Sequence, residues 1–324
     1  MNPTGGYQTG SSPDAVQKAI NAVIYEKYMR DEQPDAITAR DPFFFKQSLG
    51  NEMVYVWDED SNVGAYNETE EQEDVADSNT FIGNQKTVRQ RKWMKQVPIS
   101  FEAMQTEQEG INKRNVLAEQ MGDRAKSTQD KTTLQDTYGD AFTGSISTTP
   151  DGDAWASDSH TTLTGVTVDN LETVALSADG LWTVVQSHAN QKAQDGEGGG
   201  QLFEGILTPF RLLKTAHETL DSDLNPNGGE NAINFFKTVY GAAIRIAGTI
   251  ILDSTYNSAT NAATSYHVCS RNVNASRKVL VPLTNKLILP EMTKNDTYAE
   301  RSKYMESHFV ASWFGSVHSN GTTS

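Results

Sequence analysis

Apolar residues follow a helical period near the start of the chain and an alternating period soon afterwards. Ser12 and Pro13 are typical of a helix start, and the apolar stripe that follows predicts a helix ending before Pro34. The segment 51–60 alternates apolar with polar residues and predicts a strand, and 80–100 predicts a second one. Together they predict a long hairpin with few apolar positions on either face.

A long and mostly polar helix is predicted after the hairpin. Ser100 is a natural N-cap, and the helix is expected to extend to residue 142. Its apolar stripe is thin and its other positions are charged, which is typical of a helix that lies on a surface with one edge docked. The stripe consists of Phe101, Met104, Ile111, Leu117, Ala118, Met121 and Ala125.

The second half of the chain predicts a mixture of short helices and strands, so the fold class is α+β. A helix over 181–192 is expected to start at Ser177 or Asp179. FEGILTP predicts a strand, after which Thr208 is expected to cap a helix with Pro209 as its first residue. Five further segments predict strands, the last as a strand or a hairpin: VYGAAIRIAGTIILDS, ATSYHVCS, RKVLVPL, NKLILPEM and YMESHFVASWFGSVHSNG.

The two predicted hairpin strands carry opposite charges. Residues 51–79 contain ten acidic residues and no Lys or Arg, whereas residues 80–97 contain five basic residues and no acid. Such a hairpin buries too little apolar surface for a core element, and it is better explained as an arm lying across a neighbour. The basic strand is expected to meet acidic surface either on a neighbouring subunit or on its own partner strand. The candidate contact residues are Lys86, Arg89, Arg91, Lys92 and Lys95 on the basic strand and Glu68, Glu70, Glu71, Glu73, Asp74 and Asp77 on the acidic arm.

The chain as a whole is acidic, with a formal net charge of −15. Because nucleic-acid affinity comes mainly from cations that neutralise phosphates, the bulk surface is expected to repel DNA and RNA. Plain solubility, tolerance of salt and a need to lie near nucleic acid without adhering to it all stay open as explanations. No stretch is long and apolar enough to predict a membrane span.

Three consecutive phenylalanines, Phe43, Phe44 and Phe45, need an apolar surface to pack against. Two interpretations stay open. One places them in the chain's own core, and the other makes them the packing residues of an N-terminal arm on another subunit.

The sequence contains no catalytic signature. None of the six histidines stands near another His or a Cys at a metal-ligand spacing, and no nucleophile elbow or phosphate-binding loop occurs. Asp151, Asp153 and Asp158 match the EF-hand loop poorly, which favours a turn with solvated carboxylates. Cys269 lies in an apolar segment and is expected to be a small buried residue. We therefore expect no catalytic residue, metal or cofactor, and no enzyme activity.

The order of arm, charged hairpin, long polar helix and mixed α+β region resembles the major capsid proteins of tailed bacterial and archaeal viruses, which have the Hong Kong 97 fold. DGDAWASDSHTTLTGVTVDNL is similar to the family's segment after its long spine helix, and LFEGILTPFRLLKTAHETLDSD to its strand–Pro–helix. The resemblance covers nearly the whole chain without a diagnostic short motif. It implies an N-terminal arm at 1–50, an E-loop hairpin at 51–99, a peripheral (P) domain with the spine helix at 100–165, an axial (A) domain at 166–295 and a return strand to the P domain at 296–324.

The resemblance implies a shell protein that self-assembles as pentamers and hexamers into an icosahedral capsid around viral double-stranded DNA. The implied partners are further copies of the chain, a portal protein, a separate scaffold protein or none, and decoration proteins, with DNA nearby but not specifically bound and with no membrane. The expected location is the virion capsid, assembled in the host cytoplasm. Some family members join subunits through a Lys near the E-loop tip, but residues 58–79 contain no Lys, so such a cross-link is not expected.

Other functions stay open at this point. An encapsulin-like compartment is a related shell, which would hold cargo proteins instead of DNA. A hydrolase with a β-rich domain lacks the expected catalytic constellation, and a β-rich binding module fits poorly with the polar helix predicted over 100–142.

Overall fold

A computed structural model gives the fold of the chain. It describes residues 43, 45–48, 54–60, 82–100, 107–199, 201–223, 234–240, 244–252, 264–270, 276–288 and 298–321. The helices in this part of the chain are α1 (Glu107–Asp136), α2 (Ala178–Ala189), α3 (Leu213–Leu220) and α4 (Phe235–Tyr240). Short 3₁₀ turns at Tyr138–Asp140 and Phe210–Leu212 follow α1 and precede α3.

The strands form two larger sheets and two short pairs, which confirms the predicted α+β class. The four-stranded sheet has the order β1-β11-β12-β4 and the five-stranded sheet the order β7-β13-β10-β8-β9, while β2 pairs with β3 and β5 with β6. The strands are β1 (Phe45–Ser48), β2 (Val54–Asp60), β3 (Ile82–Arg89), β4 (Arg91–Ile99), β5 (His160–Thr161), β6 (Thr167–Val168), β7 (Leu171–Glu172), β8 (Gly205–Pro209), β9 (Arg245–Thr249), β10 (Tyr266–Cys269), β11 (Ser276–Ile288), β12 (Tyr298–Val310) and β13 (Ser316–Ser319).

Helix α1 lies along β12 of the four-stranded sheet and buries a narrow stripe. Ala118, Met121 and Ala125 of the predicted stripe are buried. The stripe also carries buried polar residues, because Arg114 forms an ion pair with Glu300 of β12 at 2.5 Å. The contact between the helix and the sheet therefore depends on buried charge as well as on apolar packing.

Side chains of the five-stranded sheet alternate between two apolar cores, as the period of a strand requires. Ile206 and Val268 belong to the core that includes residues of α2 and α3. Leu207 and Cys269 point to the opposite face, into a core that includes Trp155. Cys269 is 3% exposed, which agrees with its predicted burial, and burial raises the pKa of its thiol to about 12.

The predicted hairpin is divided in the structure, and this corrects the assignment made from sequence. β3 pairs with β2, whereas β4 pairs antiparallel with β12 of the four-stranded sheet. The change of partner occurs at Gln90, which lies between the two strands. Val88 and Trp93 are an odd number of residues apart and would face opposite sides of one continuous strand. The break lets both residues contact buried clusters.

The C-terminal third of the chain connects the two larger sheets. RKVLVPL and NKLILPEM were expected to form two strands, but the structure has the single strand β11 across both. β11 lies within the predicted A domain, yet it pairs with β12 of the predicted return segment. β13 then enters the five-stranded sheet beside β10. The domain boundaries given above stay a prediction.

The start of α2 agrees with the sequence, whereas the start of α3 does not. The Ser177 hydroxyl accepts a hydrogen bond from the Gly180 backbone at 3.1 Å, so Ser177 is the N-cap of α2. Thr208 was expected to cap the next helix, but it is buried inside β8. A 3₁₀ turn follows Pro209, and α3 begins at Leu213.

Candidate functional site

The five predicted basic contact residues lie on two strands with different neighbours. Lys86 and Arg89 are on β3 in the two-stranded hairpin, and Arg91, Lys92 and Lys95 are on β4 in the four-stranded sheet. They therefore do not form one strip of charge on the returning arm of a hairpin.

Two of these five cations contact other parts of their own chain. The Lys86 ammonium donates hydrogen bonds to the carbonyl and the hydroxyl of Thr148, the second at 3.2 Å. Arg91 forms an ion pair with Asp136 at the end of α1, and its guanidinium lies 5.9 Å from the centre of the Trp93 ring. Lys86 and Arg91 thus hold β3 and β4 against the body of the chain.

Lys92 and Lys95 are exposed, and cations that the sequence analysis did not single out lie beside them. β4 is the outermost strand of the four-stranded sheet within the described residues. We call the surface around it the basic edge, which consists of Lys92 and Lys95 on β4, Arg301 and Lys303 on β12, and Arg124 on α1. The sequence could not reveal this grouping, because it depends on the pairing of β4 with β12.

One side of the basic edge is a groove between β4 and α1. Lys95 and Arg124 line this groove, which has a volume of about 170 Å³. The rings of Trp93 and Tyr304 stack beside them with their centroids 6.4 Å apart. The groove therefore combines two cations with an aromatic wall.

The other side of the basic edge is the face of the sheet turned away from α1. Arg301 and Lys303 on β12 stand opposite Gln96 and Met94 on β4. Lys92 lies two residues before Met94 and therefore points to the same face. The Arg301 guanidinium donates hydrogen bonds to the Gln96 side chain at 3.0 and 2.7 Å. Met94 is 51% exposed. Cations thus lie on both faces of the sheet at its β4 margin.

The other predicted contact residues fall partly outside the described part of the chain. Phe43 is fully buried, and its carbonyl accepts a hydrogen bond from the Tyr138 hydroxyl at 2.7 Å. For Phe43 the structure therefore favours the chain's own core. Phe44 lies outside the described residues, and Phe45 begins β1. All six acidic candidates also lie outside the described residues: Glu68, Glu70, Glu71, Glu73, Asp74 and Asp77.

Buried ionisable residues join the hairpin to the loop that follows α1. The Glu59 carboxylate on β2 accepts a hydrogen bond from the Gln194 side chain at 2.6 Å. Burial raises the pKa of Glu59 to about 7, and the negative charge of Asp151 contributes in the same direction. Burial lowers the pKa of Lys86 to about 8, against the attraction of Asp151.

Asp151 itself is held by His160. Burial alone would raise the pKa of Asp151, but hydrogen bonds from His160, at 2.9 Å, and from Thr149 hold it below its usual value. The other ring nitrogen of His160 lies 3.1 Å from the Trp155 carbonyl. His160 thus links the Asp151 carboxylate to the backbone at Trp155.

Replacing Glu59 by glutamine is expected to stabilise the chain above pH 7 and to change little below pH 4.5. Because the pKa of Glu59 rises from 4.5 to about 7 on folding, the wild-type chain loses stability as the pH rises between these values. Glutamine cannot ionise and keeps the acceptor oxygen for Gln194, so we expect a gain of about 1–2 kcal/mol in the free energy of unfolding. Urea denaturation at about pH 5 and about pH 8 measures it. The exposed Glu119→Gln variant is the control, and an equal effect of Glu59→Gln at both pH values would contradict this assignment.

The structure brings together two histidines that lie far apart in the sequence. His267 on β10 and His318 on β13 are register partners, both fully buried, with their Nδ1 atoms 2.7 Å apart. Their rings contact Tyr138, Phe142 and Trp155. One Nδ1 must donate and the other accept, so this contact exists only while the pair holds a single proton between these two atoms.

Asp151, Asp153 and His160 are the one group of described side chains whose donor atoms, within 4.8 Å of one another, could jointly hold a metal ion. The sequence predicted a turn with solvated carboxylates at Asp151, Asp153 and Asp158, and His160 was not part of that group. Both ring nitrogens of His160 and the Asp151 carboxylate already form hydrogen bonds within the protein. Among the described helices, none has the length and apolar character that crossing a bilayer requires.

No protein-family model matches the chain, and no curated protein matches it. Solved structures match over most of its length. The capsid of an empty GTA particle gives a TM-score of 0.54 at 7% identity and covers 86% of this chain and 87% of that one. The capsid of the cyanophage P-SCSP1u gives 0.53 at 12% identity and covers 91% of each chain. A virus-like particle from Pyrococcus furiosus gives 0.51 at 9% identity and covers 93% of this chain and 97% of that one. These similarities confirm the predicted Hong Kong 97-type fold.

Proposed function

We propose that this chain, which has the Hong Kong 97-type fold, is a major capsid protein that self-assembles as pentamers and hexamers into an icosahedral shell around viral double-stranded DNA. The observation that carries the proposal is the fold shared over 91% of the chain with the cyanophage capsid protein. The fold extends across both larger sheets and α1, so the similarity concerns the whole subunit and not one common motif.

Exposed apolar residues support an assembling subunit. Trp182 of α2 and Phe235 of α4 contact each other with ring centroids 4.9 Å apart, and Phe235 and Val239 are about half exposed. Exposed aromatic clusters of this kind mark interaction surfaces more often than free surface. In the proposed shell, further copies of the chain cover them.

The acidic charge supports packaging of DNA without specific binding. At a net charge of −15, the chain would repel a phosphate backbone from most of its surface. The proposed role is structural and not enzymatic, and the proposed partners include a portal protein and a scaffold protein. The proposed location is the virion capsid, with assembly in the host cytoplasm.

A second candidate is the shell of an encapsulin-like protein compartment. The similarity to the virus-like particle from Pyrococcus furiosus, at a TM-score of 0.51, favours it as the alternative. The contents of purified particles distinguish the two functions. Packaged double-stranded DNA supports the capsid, whereas co-purified cargo protein without DNA supports the compartment.

The purified chain is expected to form rings or closed shells, because the proposed interfaces bury more than about 2,000 Å² per subunit. Size exclusion with light scattering measures the mass, and electron microscopy of the large fractions shows the shape. A monomer of 35.6 kDa at every concentration, both alone and after co-expression with the proteins encoded beside it, would contradict the proposal.

A further inference from the structure

We infer that Asp151, Asp153 and His160 bind a divalent first-row metal ion such as Zn²⁺, with Glu59 of β2 placed to complete the site. The donor atoms of the first three residues lie within 4.8 Å of one another. This inference goes beyond the proposed function and does not depend on it, because all four residues belong to one chain. It also departs from the sequence analysis, in which no metal was expected.

The first observation is the spacing of the donor atoms. Bonds from Zn²⁺ to nitrogen and oxygen are about 2.0–2.2 Å long, so two ligands of one ion lie roughly 3–4 Å apart. Nδ1 of His160 lies 2.9 Å from Oδ2 of Asp151, and the Asp153 carboxylate is within 4.8 Å of both. Side-chain movements of roughly 1 Å or less therefore suffice to bring all three onto one ion.

The second observation is the burial of two of these ligands. The side chain of His160 is 0% exposed and that of Asp151 is 8% exposed, so Asp151 does not belong to a solvated turn. A buried carboxylate has lost most of its hydration and needs a strong partner. Asp153 is half-buried and Gly152 is exposed, which leaves an ion a route from solvent into the site.

The third observation is that the His160 ring stands between two acceptors. Nδ1 faces the Asp151 carboxylate, and Nε2 lies 3.1 Å from the Trp155 carbonyl, which also accepts a hydrogen bond from Asn170. A neutral imidazole has one N–H and can donate to only one of these oxygens. A metal ion on Nδ1 leaves the proton on Nε2, where it donates to Trp155. Metal-bound histidines in proteins usually donate their second ring nitrogen to a carbonyl or carboxylate in this way.

Glu59 supplies an observation from outside this group. It is 5% exposed, and one of its oxygens accepts a hydrogen bond from Gln194 at 2.6 Å. The other oxygen, Oε2, is buried without a hydrogen-bond partner among the described residues, although Asn84 and Ser312 lie near the carboxylate. Asp151 is the charged group that acts on Glu59, and it repels the second negative charge. An ion held by Asp151 would offset this repulsion and give Oε2 a partner.

The charges around the site favour a cation. Besides the three carboxylates named above, the charged group that interacts with Asp151 from β3 is Lys86. Its ammonium donates hydrogen bonds to the carbonyl and the hydroxyl of Thr148. One ammonium against three carboxylates leaves two negative charges, which a single divalent ion balances.

The donor set selects among divalent ions. Ca²⁺ and Mg²⁺ prefer ligands that are all oxygen, whereas Zn²⁺ accepts imidazole nitrogen together with carboxylate oxygen. We therefore expect Zn²⁺ to bind roughly tenfold or more tightly than Ca²⁺ or Mg²⁺. Because Glu59 lies on β2 and the other ligands lie in the loop that follows α1, the ion would fasten the hairpin to that loop.

Calorimetric titration with Zn²⁺ alone tests the site on the untagged chain, after its metal has been removed with EDTA and dialysis. Asp153→Asn removes a carboxylate that forms no hydrogen bond or ion pair with another described residue, so the fold is expected to persist. We expect this variant to bind Zn²⁺ at least roughly tenfold more weakly than the wild type. Asp158→Asn is the matched control, because it removes the same charge from an exposed position in the same loop, and it is expected to bind like the wild type.

X-ray absorption at the zinc edge identifies the ligands, and it applies to single subunits and to assembled particles alike. The expected spectrum contains one imidazole, with oxygen atoms as the remaining ligands. The buried pair of His267 and His318 offers two imidazoles at one place. A spectrum with two imidazoles would therefore assign the zinc to that pair and overturn the inference.

The binding results decide the rest. The site is disproved if the wild-type chain binds no Zn²⁺, if Asp153→Asn binds as tightly as the wild type, or if Asp158→Asn loses as much affinity as Asp153→Asn. Glu59→Gln keeps the acceptor for Gln194 and is expected to weaken binding by a smaller factor, and an unchanged affinity would exclude Glu59 as a ligand. Failure of the chain to assemble into shells would contradict the proposed function and leave these measurements as they are.

Discussion

Replacing Glu300 by alanine is expected to lower the free energy of unfolding by about 3–5 kcal/mol. The Glu300 carboxylate is 1% exposed and accepts hydrogen bonds from Nε and Nη2 of Arg114 at 2.9 and 2.5 Å. Its removal takes from the Arg114 guanidinium, which is 6% exposed, the carboxylate oxygen that accepts two of its hydrogen bonds. A buried charge that loses its counter-charge cannot recover its hydration inside the fold, so the effect is large. Urea denaturation followed by tryptophan fluorescence measures the change.

Two comparisons identify the cause of this loss. The double variant Arg114→Met with Glu300→Met removes both charges and is expected to recover most of the stability, because an apolar pair of similar volume needs no counter-charge. Glu218→Ala removes the exposed pair with Lys214 on α3 and is expected to change the stability by less than about 0.5 kcal/mol. A loss for Glu300→Ala as small as that for Glu218→Ala would show that water reaches the Arg114–Glu300 pair.

This ion pair also positions the basic edge. Glu300 directly precedes Arg301 on β12, and Arg114 lies on the same helix as Arg124. The pair therefore fixes α1, which carries Arg124, against β12, which carries Arg301. A contact between distant parts of the chain thus helps to set the spacing of the charges on the helix and the sheet.

The sequence predicted the elements of the fold better than their partners. Ala118, Met121 and Ala125 recur at helical spacing, so α1 and its buried stripe could be read directly from the pattern. The division of the hairpin at Gln90 was missed, although the odd separation of Val88 and Trp93 was a usable signal. An alternating pattern gives the faces of a strand but does not say which strand lies beside it.

The buried polar contacts could not be predicted, because they join distant parts of the chain. Arg114 and Glu300 are 186 residues apart, and His267 and His318 are 51 apart. Each of these residues stands among polar or mixed neighbours in the sequence, where nothing distinguishes it from an exposed residue. Their burial follows from the pairing of β12 with β4 and of β13 with β10, which a single sequence does not specify.

Acid is expected to unfold the chain cooperatively between about pH 6 and about pH 4. Burial lowers the pKa of His188 to about 4 and of His267 to about 3, and it lowers the pKa of His318 well below 6.5. Below pH 6.5 the unfolded chain therefore binds protons at these three residues, whereas the folded chain keeps the three rings neutral. Three such protons make the stability fall by up to about 4 kcal/mol per pH unit, which within two units is comparable to the whole stability of a typical domain.

The groups around these histidines determine that the free energy of unfolding falls, and does not rise, as the pH is lowered. His318 faces His160, His188 and His267, so no described acid on the neighbouring elements offsets a proton on its ring. Among the described groups with a resolved shift, Glu59 opposes the trend, because its raised pKa favours the fold as the pH falls from 7 to 4.5, and it accounts for one proton against three.

Circular dichroism and fluorescence measured against pH give the midpoint of this transition, and proton uptake on unfolding gives the number of groups. The exposed His217→Gln variant is expected to leave both unchanged. His188→Gln removes one of the three protons. It is expected to lower the slope of the unfolding free energy against pH by about a third, without disturbing the His267–His318 contact. A stability that stays constant from about pH 7 to about pH 4 would mean that these rings accept protons in the folded chain. That result is incompatible with Nδ1 atoms 2.7 Å apart, since a second proton would place two N–H groups against each other.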